Sequence, residues 1–406
     1  MLLDTPASSL SEYRAIGGYD ALSAGAAELL ETVCAAGLRG RGGAWFPVER
    51  KWRTALAEPG PRVLVANGAE DEPGSLKDRH LMATAPHLVL DGALLAARTV
   101  GAQTVRLYVN EHAAGAREAL ERAVGEAAEF IAGLDVTLVA APATYVAGED
   151  SAAVEFLETG TAQPRYKPPY PAAAGLHGRP TVVNNVETLA HVAWAARVGA
   201  AEFREHGTTA APGTMLITVP EECANPGVYE VEVGAFLDEV LAGAAGGFVA
   251  GPARGVQVGG PASGWLTDLH VALDPDSVAA AGSTLGCGAV RVLPAGHCAV
   301  DAVVSTSEFF AREQCGKCPP CRMATQFIHR AAAGLADNKG TTVAQLDTAP
   351  TLVGQVRDKT ACSLVSFPLS PLTSAREVFA ADFAAHLAGQ DCGLVHRRRS
   401  LRIEGS

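Results

Sequence analysis

The sequence predicts an α/β protein in three parts, and three observations carry that expectation. Between residues 62 and 140, apolar runs of strand length alternate with longer helical patterns, as in a parallel, Rossmann-like sheet. From about residue 206 the pattern gives way to short strands joined by Gly and Pro turns, a small β-grasp-like module. From about 298 the chain turns helical, a bundle set around three closely spaced cysteines. At 406 residues the chain is too long for one compact core. The expected divisions are 1–205, 206–295 and 296–406.

Composition narrows the function. A hydrophobic fraction of 48% with only 19% charged residues marks a well-buried globular chain. The net charge of −12 offers phosphates no basic face, so nucleic acid is excluded as a partner. One basic run, His396-Arg397-Arg398-Arg399, is expected to be a solvated tail. No apolar run approaches the ~20 residues of a membrane helix, so direct membrane insertion is not expected. The first residues, MLLDTPASSLSEYR, lack the basic-then-apolar order of a signal peptide. Nine cysteines without an export signal suggest metal use in a reducing compartment, and a cytoplasmic location is expected. Five of them, Cys34, Cys223, Cys287, Cys298 and Cys392, have no ligand-like spacing and read as buried small hydrophobes.

Taken in order, residues 1–36 form a helical lead-in ending at Gly37. The stretch GLRGRGGAWFP follows (37–47), whose glycines let a ligand lie against bare N–H groups beside Arg39 and Arg41. A tight turn is the plainer alternative. Lys51-Trp52 add a cation and an aromatic surface. Residues 62–67 (RVLVAN) read as a buried strand running into the acidic turn 68–75 (GAEDEPGS). Acidic turns are usually only solvated, yet open α/β sheets bind nucleotides at such strand ends. A helix over 87–100, a strand over 104–109, a helix over 112–132 and a strand over 135–140 complete the alternation.

Residues 145–191 hold the next dense set of polar groups. Gly148-Glu149-Asp150 precede an amphipathic helix. Lys167-Pro168-Pro169-Tyr170-Pro171 reads as a stiff polyproline-like bridge presenting a cation and a ring. Asn184-Asn185 precede a helix whose N-terminus could hold an anion. Short strands are then expected over 214–219, 227–233 and 255–258, with a helix near 234–243 and no evident chemistry. In the last part, Cys315, Cys318 and Cys321 recur at intervals of three, and Cys362 stands 41 positions further on. Three thiolates from one loop and one from a remote segment suit a [4Fe–4S] cluster. The prolines Pro319 and Pro320 keep a helix from running through the loop. Structural zinc, which usually takes two separated pairs, and a CxxC with an incidental third Cys are the alternatives.

GLRGRGGAWFP, NGAEDEPGSLKDRHLM, YVAGED, KPPYPA, VNNVETL, CGKCPPC and the late Cys362 occur in the order seen in one known family. From about residue 20 to 390 the chain resembles the flavoprotein (51-kDa) subunit of respiratory complex I and related diaphorase subunits of NAD-linked hydrogenases and formate dehydrogenases. The resemblance implies non-covalent FMN, one [4Fe–4S] cluster and NADH arriving against the flavin. It places Gly42, Gly43, Lys51, Asn67, Glu70, Tyr145, Gly148, Glu149, Val183, Asn184, Asn185 and Thr188 around FMN. Phe46, Glu72, Asp150, Lys167 and Tyr170 would face NADH, with Glu72 and Asp150 as the catalytic carboxylates. Cys315, Cys318, Cys321 and Cys362 would hold the cluster. It also implies that 206–295 is the family's soluble-ligand-binding β-grasp domain.

Four positions depart from the family pattern: Trp45 replaces a Gly, Thr54 an aromatic, Ala69 an Asp and Asp150 a Glu. All lie on the flavin or dinucleotide side. The implied activity is NADH oxidation, with electrons passing through FMN and the cluster to iron–sulfur partner subunits or a ferredoxin, within a larger membrane-associated complex. The alternative is an electron-relay or assembly subunit in which NADH oxidation is altered or lost. Lys317, inside the cysteine loop, would raise the cluster potential if its charge lies near the sulfurs.

Overall fold

A computed structural model describes residues 1–403. Three helices open the chain: α1 (Leu10–Ala15), α2 (Ala26–Ala36) and α3 (Val48–Ala57). Gly37 closes α2 in the left-handed region, where a residue without Cβ carries no steric cost. Then come β1 (Arg62–Gly68), α4 (Lys77–Thr84), α5 (Pro86–Val100), β2 (Ala102–Asn110), α6 (Ala114–Glu126) and β3 (Asp135–Ala141). The helix expected over 112–132 ends early. Phe130 folds back instead and stacks on Tyr19 at 4.3 Å between centroids. The series closes with α7 (Asp150–Thr159), β4 (Thr181–Asn185), α8 (Val186–Val198) and α9 (Ala200–Phe203).

The four strands form one parallel sheet in the order β3-β2-β1-β4. Alternation along β1 builds a three-layer sandwich, since successive side chains point to opposite faces. Leu64 and Ala66 face a core shared with α2, α5 and α8. Val63 and Val65 face the other layer, with Tyr108, Val154 and Val183. Every residue of α5 except Arg98 is buried, as its nearly unbroken apolar sequence requires. At Gly92, α5 touches the backbone of α8 so closely that a Cβ would sit 1.8 Å from Leu189 O.

The middle part pairs β5 (Thr214–Val219) with β6 (Gly227–Glu232) antiparallel. After α10 (Leu237–Ala242), β7 (Gly255–Gln257) pairs across α11 (Pro275–Ala280) with β8 (Arg291–Leu293). These ribbons surround their own core of Met215, Ile217, Leu237, Val256 and Val290. The rest is helical: α12 (Ala299–Glu313), α13 (Pro319–Ala336), α14 (Val343–Val356), α15 (Leu369–Val378) and α16 (Ala380–Leu387). Pro319 and Pro320 do more than stop a helix: they start α13, since a first turn needs no N–H there and proline presets φ. The basic run is exposed, as expected of a solvated segment, yet ion pairs hold it to the rest of the chain. Arg398 pairs with Asp301 and Asp337, and Arg399 with Glu222.

Candidate functional site

Strand order reverses direction between β1 and β4, because β2 lies to one side of β1 and β4 to the other. Ligands of open α/β sheets bind outside the carboxyl ends of the strands at such a switch point. Asn185 ends β4, and its register partner Asn67 stands one residue before the end of β1. Asn67 Nδ2 donates to Gly148 O at 2.8 Å. Asn185 caps α8, accepting from Glu187 N at 3.0 Å and Thr188 N at 3.4 Å, while its Nδ2 donates to Asp78 Oδ2 at 2.7 Å.

Two other predicted residues of this wall turn inward. Asn184 is buried and accepts from Trp52 Nε1 at 2.9 Å. Thr188 is buried and accepts from Arg41 N at 2.8 Å, which fixes the Gly-rich loop to α8. Lys51 Nζ donates to Val183 O at 2.7 Å, and burial lowers its pKa. Behind the acidic turn lies a buried ion cluster. Lys77 Nζ bonds Asp78 Oδ1 and Glu187 Oε2, each at 2.7 Å. Against the upward push of burial, Lys77 and His191 hold the Glu187 carboxyl down at about 2, whereas burial raises Asp78. Glu70 accepts from Ser75 Oγ, Asp78 N and Arg79 N, so it ties the turn to α4.

A second wall comes from the turn before α7. Tyr145 Oη donates to Glu72 Oε2 at 2.8 Å, while Glu72 Oε1 is buried without a partner. Burial pushes the Glu72 carboxyl up to about 7, opposed by Tyr145 and Arg291. Glu149 caps α7 through Ser151 N and Ala152 N. Lys167 Nζ bonds both Glu149 and Asp150. The chain bends at Lys167, Pro168 and Pro169, with both X–Pro bonds cis, in place of the straight polyproline bridge expected. The Tyr170 ring centroid lies 5.9 Å from Lys167 Nζ, and both Tyr170 and Phe46 are exposed, at 60% and 49%.

The four thiols of Cys315, Cys318, Cys321 and Cys362 line one small cavity with Val146, Pro164, Ala361 and Leu364. Burial, then the neighbouring thiols, pushes Cys321 up to about 12. Burial likewise lifts Cys362 to about 11, with Glu149 adding to the push. Ala361 N donates to Cys318 Sγ at 3.4 Å. Four crowded thiols in an apolar chamber suit a cationic iron–sulfur body that stabilises thiolates.

Several participants escaped the sequence. Tyr166 Oη lies 3.5 Å from Cys318 Sγ, and Lys317 Nζ sits over the Tyr166 ring at 5.8 Å. Adjacency to KPPY was the only hint of Tyr166. The middle part, expected to carry no chemistry, closes over Glu72: a Cβ on Gly260 would meet Glu72 Oε1. Trp45 is buried. Its ring lies in the middle part's core, Nε1 donating to Gly286 O at 2.9 Å and Arg41 over its face at 4.5 Å. Its φ of +52° keeps the left-handed conformation a glycine adopts freely.

The groups around the switch point suit the expected flavin. Among the described residues, the N–H groups of Gly42, Gly43 and Ala44 have no hydrogen-bond partner, and Glu72 Oε1 is orphaned. No helix is long and apolar enough to cross a membrane among the described residues.

Comparison with known proteins agrees with this geometry. Residues 33–194 match the family described as the Nuo51 FMN-binding domain. Residues 301–386 match the NADH-ubiquinone oxidoreductase-F iron-sulfur binding region. The chain is similar to the F 2 subunit of the NADH-quinone oxidoreductase of Rhizobium meliloti (strain 1021), 36% identical over 94% of this chain and 95% of that one. It is similar to the NADP-reducing hydrogenase subunit HndC of Solidesulfovibrio fructosivorans, at 33% over 95% and 82%. The crystal structure of an NAD+-reducing [NiFe]-hydrogenase in the H2-reduced state superposes with a TM-score of 0.79 at 34% identity. That match covers 96% of this chain and 66% of the hydrogenase chain.

Proposed function

The chain belongs to the family of the flavin- and cluster-binding F subunits of NADH-quinone oxidoreductases, and from that premise we propose that it oxidises NADH and delivers the electrons to an iron–sulfur partner. One observation carries the reading. The turn at Tyr145–Gly148 is a wall shared by both chambers. Val146 lines the thiol cavity, Tyr145 bonds Glu72, and Gly148 O accepts from Asn67. When bound, FMN supplies the conversion of a two-electron hydride into single electrons, and a [4Fe–4S] cluster carries them onward.

The chain's own residues bind and orient. Gly42 and Gly43 offer bare N–H groups to phosphate, with Lys51 adding positive charge. Asn67, Asn185 and Glu70 fix the strand ends, while Val183, Asn184 and Thr188 hold that wall from behind. Cys315, Cys318, Cys321 and Cys362 are the cluster ligands. Phe46 and Tyr170 supply rings for a dinucleotide, and Glu72 with Asp150 line its approach. Residues 1–205, 206–295 and 296–406 serve as flavin domain, β-grasp domain and cluster domain.

NADH is the nucleotide, not NADPH. A 2′-phosphate needs a cation, and Lys167 is already committed to Glu149 and Asp150. Steady-state reduction of an artificial acceptor with each nucleotide tests this. A kcat/KM for NADPH equal to or above that for NADH would overturn the preference. The electrons leave for an iron–sulfur partner subunit or a ferredoxin in the same compartment, the cytoplasm.

A further inference from the structure

Cys298 and Cys392, read from the sequence as buried small hydrophobes, meet two histidines in the helical part. Cys298 precedes α12, His386 lies on α16, and Cys392 and His396 come from the chain after it. One ligand atom from each lies within 4.8 Å of the others. We propose that this quartet is a second metal centre, a structural zinc site separate from the iron–sulfur cluster.

The distances point to one metal ion. Cys298 Sγ lies 3.4 Å from His386 Nε2, and Cys392 Sγ lies 3.6 Å from His396 Nε2. Zn–S bonds of about 2.3 Å and Zn–N bonds of about 2.0–2.1 Å at a tetrahedral angle put S and N about 3.6 Å apart. Two thiolates and two imidazoles in a tetrahedron select zinc among common metals. A two-iron cluster would hold its cysteine pair and histidine pair on different metals, further apart than these contacts.

The surroundings are those of a ligand set. His396 Nδ1 lies 3.0 Å from Asp301 Oδ2, a buried carboxylate that also receives Arg398 Nε at 3.0 Å. A proton held at Nδ1 by that carboxylate leaves the Nε2 lone pair facing the thiols, the usual outer support of a metal-bound histidine. His386 is buried, and its Nδ1 makes no hydrogen bond. Its Nε2 has a thiol as hydrogen-bond partner. Leaving a buried imidazole so poorly satisfied is unfavourable, and coordination at Nε2 would offset it. The backbone already aligns the segments: Cys298 N donates to Val395 O at 3.0 Å, and Val395 N to Gly296 O at 2.7 Å. With all four positions taken by protein, the ion has no open site for substrate. It fastens the chain after α16 to the start of α12.

The test is elemental analysis of the full chain, purified anaerobically with its cluster. One zinc per chain beside the cluster iron is expected. Cys392→Ser and His396→Ala, both on the less buried side of the site, should each lower zinc content tenfold or more with iron unchanged. Cobalt(II) bound in place of zinc should show tetrahedral thiolate absorption, lost in Cys392→Ser. The proposal is overturned if the native chain takes up no zinc when the reduced protein is given one equivalent. It is equally overturned if the Cys392→Ser/His396→Ala double variant keeps its zinc, if zinc leaves on mutation of Cys362 instead, or if mass spectrometry finds a Cys298–Cys392 disulfide in the anaerobic protein.

Discussion

Replacing Lys77 by Met probes the buried ion cluster behind the acidic turn. The Lys77 side chain is 1% exposed and bonds Asp78 and Glu187 at 2.7 Å each. Methionine matches its length but leaves two buried carboxylates without their cation. Removing one partner of a buried ion pair costs about 3–5 kcal/mol. The pH dependence follows with a definite sign. Lys77 opposes the upward push of burial on both Asp78 and Glu187 and with His191 holds Glu187 at about 2, so the variant's folded carboxyls keep their protons to higher pH than the native chain's. A group whose folded pKa is raised above its unfolded value loses stabilising power as pH rises. The deficit should therefore widen from pH 5 to pH 8, by up to about 1.4 kcal/mol per pH unit for each extra proton bound. Urea unfolding of the flavin-free protein at several pH values measures it. A deficit below about 1 kcal/mol, or one equal at pH 5 and pH 8, would refute the reasoning. Lys77→Met/Glu187→Gln, which removes one charge, should recover part of the loss.

Three further outcomes are expected. Cys362→Ala should yield a three-iron cluster or lose iron, seen by EPR and iron assay, and four irons with an unchanged spectrum would remove Cys362 from the ligand set. Trp45→Gly should not speed flavin reduction, since the ring lies in the middle part's core; it should instead lower stability by about 2–4 kcal/mol, the lost ring burial offset partly by relief of the left-handed strain. Glu72, raised by burial to about 7 from 4.5, holds in the folded chain a proton that the unfolded chain releases between those values. Its contribution is complete below pH 4.5 and is lost as pH rises through 7, amounting to about 3 kcal/mol. Glu72→Gln should make the stability profile of the flavin-free protein shallower by about one proton over that window.

Local pattern made the first half of the fold readable. RVLVAN is long enough for a strand and too short for a helix, and it forms the centre of the sheet. The cysteine loop was readable because three of its thiols are near in sequence. What escaped was set by tertiary contact. Trp45 occupies a loop whose backbone suits glycine, and only the packed middle part shows where its ring goes. Cys298 and His386 are 88 positions apart, so no spacing rule brings them together. Lys167 sits in a proline-rich stretch that reads as extended, yet its ammonium is drawn back to Glu149 and Asp150. Gly260 and Arg291 reach Glu72 from a module whose sequence carries no recognisable motif.

On the proposed function, electrons enter from NADH and arrive at the cysteine-held cluster across the Tyr145–Gly148 wall. Anaerobic titration of the full chain with NADH, followed by visible absorption and EPR on the same sample, tests it most directly. The flavin band should bleach and a reduced-cluster signal appear with it, the cluster signal alone being altered in Cys362→Ala. No bleaching by NADH in a chain carrying full flavin and iron would contradict it and leave a relay subunit without dehydrogenase chemistry.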